Sequence, residues 1–182
     1  DSSTSRGLGD VYKRQGRKNA DKTEAAEIRQ VQLECLKEIP NAGMVVTADI
    51  GNRTCVHPSD KESVGKRLAL WALAKTYQRS GTPYSGPLYK SFTIDKEKII
   101  VEFDYAEMGM TSYDREIVGF EIAGKDGIYY PAKAVLFDNK TKVMLTSDQV
   151  PEPVGVKYGF RNYQPLNLFS NFGLPASPFV AK

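Results

Sequence analysis

One histidine stands in the chain, His57, and its surroundings are those in which an imidazole can do chemistry. It follows the apolar run Met44-Val45-Val46-Thr47-Ala48-Asp49-Ile50 across the loop Gly51-Asn52-Arg53-Thr54-Cys55-Val56, and it precedes Pro58-Ser59-Asp60-Lys61-Glu62. That order reads as strand, loop and helix start. In an open α/β sheet, functional groups collect in the crevice beyond the carboxyl ends of the strands. Imidazole changes charge near neutral pH, so a histidine in that place is a candidate general base. Asp49 is the nearest preceding carboxylate and the candidate acid to orient the ring, although such an aspartate more often caps local backbone amides. A base needs a group to deprotonate, and no activated serine is recognisable. Cys55 and His57 together supply two ligands, too few for a metal site, so neither metal nor cofactor is predicted. The residues point to part of an enzyme rather than a whole one.

The elements that must position this histidine lie between Thr23 and about Gln78. Ala25, Ile28, Val31, Cys35 and Ile39 recur at helical spacing and predict one apolar face. Pro40-Asn41-Ala42-Gly43 stops that helix. Met44 to Ile50 is nearly continuous and β-rich, as expected for a strand covered on both faces in a parallel sheet. Ser59 and Glu62 have the spacing of a capping box, so a second helix starts directly after His57-Pro58. Val64, Leu68, Trp71 and Lys75 form its predicted inner side, widened by Leu70, Leu73 and Tyr77. A helix–strand–helix unit of this size exposes apolar faces unless neighbouring layers cover them.

After the Pro/Gly-containing segment 81–87 the periodicity changes. Strands are predicted at Ser91–Asp95, Lys98–Tyr105, Val118–Ala123, Ile128–Phe137, Lys142–Thr146 and Val154–Phe160. Turns fall at Lys96-Glu97, Gly124-Lys125-Asp126-Gly127 and Asp138-Asn139-Lys140. Short strands with this spacing of turns predict an antiparallel β-sandwich. The tail from Asn162 is rich in Asn, Pro and Phe and is expected to pack irregularly. The predicted organisation is a tail over 1–22, an α/β part over 23–80 and a β-sandwich-like domain over 84–182.

Composition narrows the function classes. With 41% hydrophobic residues the 182-residue chain can bury a core, and its net charge of +3 is small. Lys and Arg are scattered among Asp and Glu, so no nucleic-acid footprint is expected. No apolar run approaches the ~20 residues that span a bilayer, so no membrane partner is expected. Cys35 and Cys55 give no disulfide framework and are read as free thiols. Asp10 to Gln15 match the translated end of a sequencing-library adapter, so residues 1–22 are read as an adapter-derived or disordered tail and set aside.

Several separate blocks then share one order over about 150 residues. They include Ile28-Arg29-Gln30-Val31-Gln32, Val46-Thr47-Ala48-Asp49-Ile50-Gly51, Val56-His57-Pro58, Gly65-Lys66-Arg67-Leu68-Ala69-Leu70 and Tyr84-Ser85-Gly86-Pro87. Further on come Gly119-Phe120-Glu121-Ile122-Ala123-Gly124, Tyr130-Pro131-Ala132 and Gly173-Leu174-Pro175-Ala176-Ser177-Pro178-Phe179. In this order they resemble the carboxy-terminal third of the sialate O-acetylesterases, carbohydrate esterases of the SGNH hydrolase superfamily. The resemblance implies an α/β remnant of a flavodoxin-like SGNH domain followed by an antiparallel β-sandwich-like domain. It implies that His57 is the general base of a Ser-His hydrolase acting on O-acetylated sugars, with a periplasmic or secreted location. The family's serine and oxyanion blocks do not occur in the chain. Ser85 and Ser177 belong to blocks outside the nucleophile. Where the family commonly places aspartates in the loop, this chain has Cys55 and Asn52. Two other readings stay open: an esterase of acetylated plant polysaccharide, and a glycan-binding sandwich without catalysis. Oligomeric state is not legible in the residues.

Overall fold

The computed structural model describes residues 20–53, 55, 57 and 59–182. The first nineteen positions of the tail set aside above lie outside that range. Residues 20–22 are held rather than loose. The Asn162 amide donates to the Lys22 carbonyl (2.6 Å), the Tyr163 amide donates to that of Ala20 (3.1 Å), and Ala20 is buried.

Helix α1 spans Glu24–Glu38 and ends where Ile39 turns extended before Pro40. Its buried face is not the predicted one. Ala25 and Ala26 are buried, whereas Ile28, Val31 and Ile39 are exposed. The small residues are chosen because α1 approaches strand and loop backbone closely at its amino end. There the Asn162 side-chain oxygen accepts from the Ala25 amide (2.8 Å), satisfying one of the donors a first turn leaves unpaired.

Helix α2 spans Lys61–Trp71 and continues as a π-helical turn over Ala72–Thr76. Its cap lies one residue later than the capping box predicts. Asp60 accepts from the Ser63 amide (2.9 Å) and hydroxyl (2.6 Å), since a carboxylate is the stronger acceptor for a helix start. Of the expected apolar stripe, Val64, Leu70, Trp71 and Leu73 are half-buried, whereas Leu68 and Tyr77 are exposed and Arg67 is buried in their place. Between the helices Met44–Thr47 is half-buried and extended, but among the described residues no strand pairs with it. An apolar run becomes a parallel strand only beside other strands, and none of the ten described here lies against this one.

From residue 88 onward ten strands form: β1 Leu88–Asp95, β2 Lys98–Asp104, β3 Met110–Thr111, β4 Phe120–Ala123, β5 Tyr129–Pro131, β6 Lys133–Phe137, β7 Lys142–Thr146, β8 Gly155–Tyr158, β9 Phe169–Ser170 and β10 Phe179–Ala181. Two four-stranded sheets, β1-β2-β7-β6 and β10-β8-β4-β5, and the ribbon β3-β9 are antiparallel throughout. Strict alternation decides the inner face of the first sheet. Ile99, Val101 and Phe103 of β2 are buried with Val143 and Leu145 of β7, and Val101 stands opposite Val143. The second sheet adds Phe120, Ile122, Val156, Tyr158 and Phe179 to the same cluster. The predicted strand Ile128–Phe137 is broken at Ala132, whose amide donates to the Phe120 carbonyl (3.1 Å). The chain leaves one sheet and enters the other there, so β5 and β6 serve different layers. The tail is also more regular than its composition suggests. It supplies β9 and β10, with Phe179 deep in the core.

All four residues of β4 are buried, so its outer face is covered as well. Glu121 on that face lies 2.6 Å from Arg161 and 3.2 Å from Lys157, its register partner on β8. The Arg161 carbonyl accepts from Arg29 of α1 (2.5 Å), which carries the tie across to the helix. The Pro/Gly-containing segment 81–87 is likewise packed at its end. Pro87 is fully buried, its carbonyl accepts from the Ser177 amide (2.9 Å), and the Tyr84 ring meets Trp71 edge-on at 4.8 Å.

Candidate active site

The segment leading to His57 is fixed by one arginine. Arg67, two turns into α2, donates from Nη1 to Asp49 Oδ1 (2.8 Å) and from Nη2 to Asp49 Oδ2 (2.6 Å). The same Nη1 also donates to the Val46 carbonyl (2.6 Å). Both side chains are about nine-tenths buried, with 11% and 10% of their surface exposed. A two-pronged pair in this setting is far more rigid than an ion pair on the surface. The Asp49 charge also lies close enough to the buried Tyr158 hydroxyl to add to the upward push that burial gives that group. A Cβ added at the exposed Gly51 would come no nearer than 3.9 Å to the Tyr163 ring.

Beyond Gly51 the loop turns on its own side chains. The Asn52 side-chain oxygen accepts from the Cys55 amide (3.1 Å), and the Cys55 thiol donates to the His57 carbonyl (3.4 Å). His57 itself is exposed and stands three residues before the Asp60 cap of α2. Among the described residues its imidazole has no hydrogen bond to a carboxylate. Sequence reasoning offered Asp49 as the orienting acid, and the structure brings Asp49 to Arg67 instead. Each Asp49 oxygen accepts from one Arg67 nitrogen. Arg67 was missed because a charged residue on a helix is read as solvated. The signal that could have found it is its position four residues before Trp71, on the side of α2 that turns inward.

Hydrogen bonding at Asp60 has an electrostatic signature. The Ser63 hydroxyl, and then the Ser63 amide, hold the Asp60 carboxyl below its ordinary value. A cleft beside the clamp is lined by Leu33 and Leu36 of α1, Met44, Trp71, Tyr84 and Leu174. At its rim the Tyr84 and Tyr105 hydroxyls share a hydrogen bond of 3.3 Å, and Lys75 lies 4.5 Å over the Tyr84 ring. That shared bond, with burial, pushes Tyr105 up to about 12. Ser85 donates to the Gly86 carbonyl (3.0 Å) and buried Ser177 to the Pro178 carbonyl (3.4 Å), so each hydroxyl is spent on its neighbour's backbone. Neither is presented as a nucleophile. Among the described residues no group of three or more His, Cys, Asp or Glu could hold a metal ion, and no helix is long and apolar enough to cross a membrane.

This arrangement is one exposed imidazole on a tethered loop at the edge of a helical layer packed on two antiparallel sheets. It matches the crystal structure of a carbohydrate acetylesterase from Xanthomonas citri with a TM-score of 0.81 and 35% identity, over 87% of this chain and 36% of that one. Sialate O-acetylesterase from Mus musculus is 26% identical over 158 residues, which is 80% of this chain and 29% of the mouse protein. The chain resembles carbohydrate O-acetylesterases. It spans about a third of the length of these relatives. No family model matches the chain. The likeness to sialate O-acetylesterases drawn from the ordered blocks is borne out, and the enzyme class it implies is that of an esterase.

Proposed function

We propose that the chain is the carboxy-terminal part of an SGNH-type carbohydrate O-acetylesterase in which His57 is the general base. It would take the proton of a serine carried outside these residues, then activate water against the acetyl-enzyme. The observation that carries this reading is the exposure of the sole imidazole on a loop tied at both ends to α2. A residue placed only to stabilise would be packed, whereas a base must reach a reacting hydroxyl. The unpaired Met44–Thr47 segment and the exposed Ile28, Val31 and Leu68 support reading 23–80 as one border of a flavodoxin-like α/β domain, distinct from the sandwich over 84–182. The mouse relative's name favours O-acetyl groups on sialic acid as the substrate. The bacterial relative, more similar in sequence, is named only for carbohydrate, so acetylated polysaccharide stands as the second reading.

The test is a fusion. Residues 27–182 are joined to the amino-terminal part of a serine-containing relative and assayed on O-acetylated sialic acid and on acetylated xylan. His57→Ala should lower kcat by about 10³-fold or more, because serine and histidine act as a unit. The unfused chain should hydrolyse 4-nitrophenyl acetate no faster than its His57→Ala variant. A fusion that folds and keeps full activity after His57→Ala removes the assignment.

A further inference from the structure

The residues that could serve His57 divide into those that touch it and those that hold its loop, and the structure shows members of the second group. The loop from Ile50 to Ser59 begins at Asp49 and ends at Asp60. Asp49 and the Val46 carbonyl are bound by Arg67, while Asp60 caps the same helix by accepting from Ser63. Both ends of the loop are therefore fastened to one rigid body, α2, with the fastening points Asp60 and Arg67 about two turns apart on it.

We propose that Arg67 is a positioning residue for His57. Through Asp49 it fixes where the loop departs, so that the span to the Asp60 cap is closed at a set distance and direction and the imidazole is delivered to one place. In this role Asp49 is a strut and not the acid that orients the ring. The alternative is that the Arg67–Asp49 pair only satisfies two charges in a packed interior. Two features favour positioning. The arginine takes both carboxylate oxygens and a backbone carbonyl of the same segment, and it reaches them from the helix whose start closes the loop. A pair that merely neutralised charge would need none of the backbone contact. The functional meaning rests on His57 being the base, but the geometric claim is testable without any catalysis.

Because His57 is the only histidine, its imidazole gives a single, directly assignable set of carbon–proton resonances in the full chain. The first variant carries Asp49→Leu and Arg67→Met together, which removes the clamp without leaving one buried charge unpaired. Its sandwich amide resonances should stay in place, while the His57 resonances move toward those of an unstructured peptide. Trypsin should cut after Arg53, inside the loop, about tenfold faster than in the parent chain. Arg67→Lys keeps the charge but cannot make the fork, and it should move both readouts in the same direction by less. Should the double variant fail to fold, Arg67→Lys alone decides. Unchanged His57 resonances and unchanged cutting after Arg53 in a folded variant overturn the proposal. In the esterase fusion the clamp variant should lose kcat with KM nearly unchanged. A fusion that loses activity with His57→Ala but not with the clamp variant overturns the positioning role and leaves the base in place. A loop that responds in a fusion indifferent to His57→Ala overturns the base and leaves the clamp as architecture.

Discussion

Adding one methyl group at either of two glycines should change stability in opposite directions, and the contrast tests whether the helical layer and the sandwich are one folding unit. At Gly86 a Cβ would lie 2.1 Å from the Pro175 carbonyl oxygen and 2.8 Å from that of Leu174. The obstacles are backbone atoms of the sandwich, so the strap over residues 84–87, which carries Tyr84 against Trp71 of the helical layer, must shift by ~1 Å to reach ordinary contact. Overpacking costs ~1–3 kcal/mol when side chains can yield, and here they cannot, so about 3 kcal/mol is expected for Gly86→Ala. Gly65 lies exposed inside α2, and a Cβ there meets nothing within 4 Å. Gly65→Ala should stabilise by ~0.5–1 kcal/mol through helix propensity alone. Urea unfolding followed by Trp71 fluorescence reads the seam directly, since the only tryptophan touches Tyr84, and far-ultraviolet dichroism reads the sheets. With a slope of ~1–3 kcal/mol per molar urea, Gly86→Ala should lower the midpoint by ~1–3 M, and the two probes should coincide. A Gly86→Ala change below ~0.5 kcal/mol, or a fluorescence transition that separates from the dichroism, would refute the packed seam.

Two further perturbations probe the parts that the seam joins. Tyr158→Phe keeps the buried ring but leaves the Leu168 amide, which now donates to the hydroxyl at 3.2 Å, without an acceptor inside the core. A loss of ~1–3 kcal/mol at an unchanged urea slope is expected, and a neutral result would mean that the amide finds water. At the loop's far end, Asp60 titrates below its ordinary value because Ser63 stabilises the charged form. A carboxyl depressed in the folded state contributes stability that is full above its unfolded pKa of ~3.9 and is lost as pH falls through the lower folded value. The stability difference between the parent chain and Asp60→Asn should therefore be constant near neutrality and shrink below about pH 4, and a difference that does not change with pH would contradict the charged cap.

How much of this was legible depends on which neighbours each residue needs. The sandwich strands were readable because their alternation is satisfied within the chain: Lys142–Thr146 appears as predicted, and the turn Asp138-Asn139-Lys140 carries three positive φ values, of 51°, 55° and 63°. Phe179 and the β10 strand were not readable, because a three-residue strand after a proline has too little period to show and is fixed only by pairing with β8. In the helical layer the order of elements was legible and the facing was not. Ile28, Val31 and Leu68 are apolar at helical spacing, and this periodicity describes a face without saying what meets it. Ala25 and Ala26 win the contact with the sandwich because close approach of backbones needs small side chains. That His57 stands on a loop just before a helix was legible from its flanks, while the pairing of Asp49 with Arg67 was hidden by a separation of eighteen positions and by the ordinary rule that arginines face water.

The same pairing gives the carboxylate nearest in sequence an occupation of its own. Each oxygen of a carboxylate can accept more than one hydrogen bond, so an acid can be held by an arginine and still serve an imidazole. Both Asp49 oxygens accept from Arg67, and among the described residues no hydrogen bond joins Asp49 to His57. Asn52 and Cys55 are also engaged with backbone, one accepting from an amide and the other donating to a carbonyl. Between Asp49 and Asp60, then, the side chains of Asn52 and Cys55 hold the shape of the loop from within, and His57 is exposed beside them. On the reading of His57 as the base, chemistry and architecture are divided along the sequence: the imidazole is the group that reacts, and its neighbours, with an arginine on the following helix, fix the loop that carries it.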